Sequence, residues 1–140
     1  MAYTTIDDPS AYFKVQLYTG TGSSHAVTFN DTDTDMQPDL VWIKNRSSTR
    51  APVLFDSVRG VEKRLVVCTN DASSTDSNML TAFGSDGFTV GSSNECNEST
   101  DLMVAWNWKA NATSSTNSVG SVDVDLAVNT TAGISIGTYT

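Results

Sequence analysis

Histidine occurs once, as His25, and cysteine twice, as Cys68 and Cys96, in a chain of 140 residues. A single imidazole beside a Gly/Ser turn leaves little for general acid–base work, which needs positioned groups titrating near the working pH. Neither His-Glu-x-x-His nor Cys-x-x-Cys is present, so the usual zinc and dithiol motifs are excluded. Apolar runs never exceed a few residues, far short of the ~20 a membrane-crossing helix needs, and Met1 is followed by polar residues rather than a basic and apolar leader. A chain neither inserted in a membrane nor conventionally secreted is expected, and two free thiols suit a reducing cytoplasm. Cys68 ends the apolar run Leu65-Val66-Val67 and reads as buried; Cys96, in a polar run, reads as exposed, so no bridge between them is expected.

Basic residues are also scarce: eight against sixteen acids give a net charge of −8, which repels nucleic acid and anionic lipid. Six of the eight fall between residues 44 and 64 (Lys44, Arg46, Arg50, Arg59, Lys63, Arg64), with only Asp56 and Glu62 to balance them. That stretch is a candidate docking surface for an acidic neighbour, or else a solvated face balanced by the chain's own acids.

What the chain has in abundance is small and polar: 19 Thr, 18 Ser and 10 Asn. These favour strands and turns over helix interiors. Apolar residues recur with a period of two, most clearly where Val122, Val124, Leu126 and Val128 alternate with polar neighbours. The same pattern predicts strands near 11–18, 25–29, 39–46, 51–56, 64–68, 78–83, 87–91, 101–109, 119–128 and 133–140. Turn-forming clusters at 19–24, 30–38, 59–60, 70–77, 85–87 and 111–118 separate them, with a tight hairpin at Asp86-Gly87 and at most one helical turn over 57–64. Ten short strands with regular turns predict an all-β, antiparallel sandwich or jelly roll, in one domain of residues 1–130. Residues 132–140 align with 11–19 at an offset of 121, matching Ala, Tyr and Thr, so 131–140 reads as a closing strand or as the first strand of a following repeat.

Few candidate sites emerge. Gly20-Thr21-Gly22-Ser23-Ser24-His25 lacks the last glycine of a dinucleotide loop and opens no helix. Asp31, Asp33 and Asp35 alternate like the start of a calcium loop, but Met36 and Trp42 stand where its glycine and closing glutamate belong, leaving a weak cation candidate. Trp106 and Trp108 share a face with Leu102 and Val104 that reads as core, with Met103, Ala105, Asn107 and Lys109 opposite, turning outward. Trp42 reads as buried in a central strand or as an interface or ligand residue, since exposed rings stack on sugars while a neighbouring amide such as Asn107 bonds the hydroxyls.

Taken in order, Pro38-Asp39-Leu40-Val41-Trp42-Ile43-Lys44-Asn45-Arg46, Leu54-Phe55-Asp56-Ser57-Val58-Arg59-Gly60, Ser85-Asp86-Gly87-Phe88-Thr89-Val90-Gly91 and Val104-Ala105-Trp106-Asn107-Trp108-Lys109-Ala110 resemble a β-rich module of virion proteins of tailed phages of marine bacteria and cyanobacteria. The opening Met1 to Tyr12 and Asn129-Thr130-Thr131-Ala132-Gly133 are similar to it as well. The resemblance implies a lectin-like sandwich, of the concanavalin A type, often in tandem copies within tail-fibre or other surface-exposed virion proteins.

On that basis the expected function is that of a virion structural protein, the N-terminal, particle-anchoring domain of a tail fibre involved in host attachment. No enzyme and no cofactor are expected. Partners would be other virion proteins and further copies of the chain, as a homotrimer, with contacts through Trp42, Lys44, Arg46, Arg50, Lys63 and Arg64. A module binding host surface polysaccharide through Trp42 and Asn107, and a head decoration protein, are the alternatives. The chain would be made in the host bacterial cytoplasm and reside on the virion.

Overall fold

The computed structural model describes residues 6–139; the expected opening through residue 5, and Thr140 of the strand 133–140, lie outside the described residues. Strands β1 (Phe13–Thr19), β2 (His25–Thr28), β3 (Leu40–Asn45), β4 (Val53–Asp56), β5 (Lys63–Val66) and β6 (Ser74–Thr75) come first. They are followed by β7 (Leu80–Gly84), β8 (Gly87–Val90), β9 (Leu102–Trp108), β10 (Ser115–Asn117), β11 (Val124–Asn129) and β12 (Ile134–Tyr139). A short helix, α1 (Asn94–Asn97), lies in the polar run before β9. Every strand pairing is antiparallel.

Three sheets result: a six-stranded sheet in the order β1-β9-β3-β4-β5-β6, and two three-stranded sheets, β2-β8-β7 and β10-β11-β12. Val41 and Ile43 of β3, Val53 and Phe55 of β4 and Ala105 of β9 meet Val27, Leu80, Phe88 and Val90 of the β2-β8-β7 sheet in one core cluster. Apolar burial between two antiparallel layers makes the fold an all-β sandwich. Residues 57–64, expected to hold at most a helical turn, form turns leading into β5, with the Gly60 N–H donating to the Asp56 carbonyl at 3.1 Å. The hairpin expected at Asp86-Gly87 joins β7 to β8, and Gly87 takes φ +130°, a conformation cheap only for glycine.

The alternation located most strands, but in β1, β9 and β11 it misplaced which side faces the core. In β9 the residues expected to turn outward are the buried ones: Met103, Ala105 and Asn107 are sealed inside while Leu102 is half-exposed. Trp106 and Trp108 therefore lie on the outer side of the sheet and are only partly covered. β1 follows suit through its register with β9, turning Phe13, Val15 and Leu17 outward and Lys14 and Tyr18 inward. In β11 the core residue is Ala127, whereas Val128 is exposed. The cysteines are likewise reversed: Cys68 is exposed and Cys96 buried, and both are free thiols.

Polar groups on the inner side are tied down. Lys14, 5% exposed, donates from Nζ to both carboxylate oxygens of Asp31 at 2.8 and 2.9 Å. The Tyr18 hydroxyl donates to the Cys96 carbonyl at 2.6 Å, and burial pushes its pKa well above the ordinary value. Asn97, fully buried, donates from Nδ2 to the carbonyls of Ser23 and Gly91 and accepts from the Thr21 N–H at 2.8 Å, joining two loops to α1.

The third sheet packs separately from the sandwich core. Ala127 and Ile136 join Ala110, Leu40 and Val58 in a second small cluster at one corner of the six-stranded sheet. β12 pairs only with β11, so the strand expected to close the sandwich or open a repeat belongs to this outer sheet.

Candidate functional site

The outer side of the six-stranded sheet carries an unusual surface: Phe13, Val15, Leu17, Trp42 and Leu102 are exposed large hydrophobic residues. Cross-strand register lines up Phe13 with Trp108 and Leu40, and Val15 with Trp106, Trp42 and Leu54. Phe13 and Trp108 have ring centroids 5.1 Å apart; Trp42 and Trp106 are 5.5 Å apart with planes tilted by 50°. The third sheet covers only the Leu40–Val58 corner, leaving Val15 at 50%, Leu17 at 57% and Trp42 at 37% exposure. Leaving these half-covered side chains in water forgoes about 1 kcal/mol each relative to full burial.

The basic stretch is less free than its composition suggests. Arg50 Nε bonds Glu98 Oε2 at 2.6 Å, which raises the Arg50 pKa and lowers that of Glu98. Arg59 Nε bonds the carboxylate of Asp56 at 2.6 Å, and Arg64, on the inner side, approaches Glu95 at 3.8 Å. Lys44 spends its ammonium on the carbonyls of Asn45, Ser48 and Arg50. Lys63 donates to the Thr75 hydroxyl and Arg46 is exposed; neither makes an ion pair among the described residues. The six expected contact residues therefore do not form one basic patch: Trp42 and Lys44 sit on the outer face, Arg64 on the inner side, and of the five cations Arg50 and Arg64 are already paired with acids.

A cleft of about 480 Å³ separates the third sheet from the β5-β6 edge, lined by Arg59, Lys63, Ser73, Gly137, Thr138 and Tyr139. Arg59 Nη1 donates to the Ser73 hydroxyl at 3.3 Å, and the Tyr139 ring is 77% exposed. Two cationic side chains, hydroxyls and an open ring are the groups that recognise a polar, acidic small ligand. Nothing in the period-two pattern marked this cleft, because it joins residues some 65 to 80 positions apart.

The other candidates are not assembled. Asn107, proposed to reach a sugar, is fully buried and donates to the carbonyls of Lys14 and Ala105. Asp31 is already occupied by the Lys14 ammonium, and among the described residues no three His, Cys, Asp or Glu side chains converge as a metal site. His25 packs edge-on to Tyr18 with ring centroids 5.7 Å apart. Gly133-Ile134-Ser135-Ile136-Gly137 has the spacing of a nucleophile elbow, but Ser135 sits inside β12 opposite Val128. A strand interior does not give the sharp strand-to-helix turn that motif requires. Among the described residues no helix is long and apolar enough to cross a membrane.

Comparison with curated proteins and with solved structures gives no match. Residues 8–140 match the family model described as a domain of unknown function, DUF7483, and with nearly the whole chain covered, this protein belongs to that family.

Proposed function

We propose that this chain is a structural and adhesive module of a phage particle, the particle-anchoring domain of a tail fibre that takes part in host attachment. It works by surface contact, not chemistry, and resides on the virion among other virion proteins and copies of itself. The observation that carries the contact reading is the outer face of the six-stranded sheet, where Val15, Leu17 and Trp42 remain open to solvent. Exposed apolar patches on soluble domains mark interaction sites. The virion setting is supported by the resemblance of residues 38–46, 54–60, 85–91 and 104–110 to phage modules of lectin-like type. Arg46 and Lys63, whose charges no acid answers, are the basic contacts of choice.

The test is the particle itself. Quantitative mass spectrometry of purified virions, with immunogold labelling of the chain, is expected to find a handful of copies at the tail. Hundreds of copies on the head would make it a decoration protein, and none at all would discard the virion assignment. Charge reversal at Arg46 and Lys63 is expected to weaken incorporation without changing the melting temperature.

A second reading, a module for host surface polysaccharide, is favoured by the cleft between Tyr139 and Arg59. It draws on Arg59, Lys63, Thr138 and Tyr139 in place of Trp42 and Asn107. A panel of acidic glycans tested against the chain and Tyr139→Ala decides it: binding lost in the variant supports the reading, and no binding to the unaltered chain removes it.

A further inference from the structure

We propose that the outer face of the six-stranded sheet is a contact surface for a second copy of this chain, the two sheets packing face to face about a two-fold axis. The proposal rests on the contact reading above and deepens it by naming the surface and its occupant; it does not depend on the virion setting.

The period-two alternation of β1 places Phe13, Val15 and Leu17 on the side turned to solvent. Its inner side carries Lys14, Gln16 and Tyr18 instead. A strand patterned in this way has a face that the chain alone does not satisfy. A similarly patterned strand shows such a face under cover: Ile136 of β12 is only 9% exposed and lies in the cluster with Ala127.

Size and charge choose the occupant. Strands β1, β9, β3 and β4, of seven, seven, six and four residues at ~3.3 Å each and spaced by ~4.8 Å, present roughly 380 Å² of projected sheet. Two such faces bury about 760 Å² before side-chain corrugation is counted, the size of a weak, reversible pair that forms at high concentration. The one charged side chain within the exposed area, Lys44, points its ammonium into backbone carbonyls, so two copies meet without like charges opposed. A sugar platform is disfavoured by the 50° tilt between Trp42 and Trp106, which pack on one another rather than offering one flat surface. A two-fold axis along β9 sets each Trp42 against a Val15 and each Trp106 against its own copy, at the ~10 Å spacing of packed sheets. This two-fold contact is distinct from the three-fold assembly expected of fibres, and mass in solution separates the two.

The test is sedimentation or light scattering of the full chain at high micromolar concentration, beside Val15→Glu and Leu17→Lys, with circular dichroism to report folding. The unaltered chain is expected at twice its 15.0 kDa mass. Each folded variant is expected to raise the dissociation constant by more than about tenfold. Should Val15→Glu unfold, Leu17→Lys, at the more exposed position, carries the same reading. A monomer, a trimer, or a pair that survives substitution in a folded variant would overturn the proposal. Any of these results leaves the virion assignment to be decided separately by the particle.

Discussion

Lys14 and Asp31 form an ion pair of 2.8 Å in which the lysine side chain is 4% exposed and the aspartate 36%. The ammonium also lies 5.5 Å from the centroid of the Phe29 ring. Removing the carboxylate strands a buried charge, whereas removing the lysine frees a carboxylate that water can reach. Asp31→Ala is therefore expected to cost about 2 kcal/mol after allowance for the exposed partner. Lys14→Met is expected to cost under about 1 kcal/mol. Urea unfolding of both variants checks the order, and an equal cost would place the worth of the pair elsewhere.

The two thiols differ in reach. Cys96 is fully buried, and burial, reinforced by Glu95 and Asp76, pushes its thiol up to about 12. Only a thiolate attacks a disulfide reagent. The folded chain is expected to react once with a thiol-specific reagent such as DTNB, at Cys68, and twice after unfolding. In Cys68→Ser the reaction in the folded state should disappear; two rapid equivalents in the native chain would contradict the burial of Cys96.

Asp39 is 1% exposed, and burial raises its pKa above the ordinary 3.8 even though its Oδ2 accepts from the Ala110 N–H at 2.9 Å. The folded state thus holds this proton more tightly than the unfolded chain. Its contribution to stability is full below 3.8 and is lost as pH rises through the raised folded value. Asp39→Asn keeps an oxygen for Ala110 and removes the titration. The variant should gain on the unaltered chain in urea midpoint between acid and neutral pH, and parallel pH profiles would refute the assignment.

Gly87 and Gly133 both hold positive φ, yet only one is confined. A Cβ on Gly87 would stand 2.1 Å from the Val27 carbonyl oxygen, in the register with β2, whereas at Gly133 nothing lies within 4 Å. Gly87→Ala combines backbone strain with a clash and is expected to cost about 3 kcal/mol or more, Gly133→Ala about 1 kcal/mol. Thermal melts of the two variants give the comparison directly.

Much of the strand layout was legible because Val, Ile, Phe and Trp recur at alternate positions between Gly, Asp and Asn turns. β6 and β10 were not, since two or three Ser, Thr and Asn residues carry no apolar period and read as loop. The side of each strand was harder still. Alternation says that one face is apolar, but only cross-strand partners say which face meets the core, and in β1 and β9 both faces can be covered. Asn107 looked like an outward polar residue for this reason, whereas it is a buried amide donating to the Lys14 carbonyl at 3.1 Å. Cys96 misled similarly, because a polar run can fold into a short helix whose middle is sealed. The cleft at Tyr139 was invisible to local pattern because tertiary packing alone brings its walls together.

The amide of Asn97 has a bearing on how the protein ages. Its nitrogen serves two carbonyls at 2.5 and 2.6 Å, so hydrolysis to aspartate would replace a double donor with a group that, when ionised, only accepts. Spontaneous deamidation at this one position would set a negative charge against two carbonyl oxygens and release the loops around Thr21 and Gly91. The packing of the loops around Thr21 and Gly91 thus hinges on a nitrogen atom that solvent scarcely reaches.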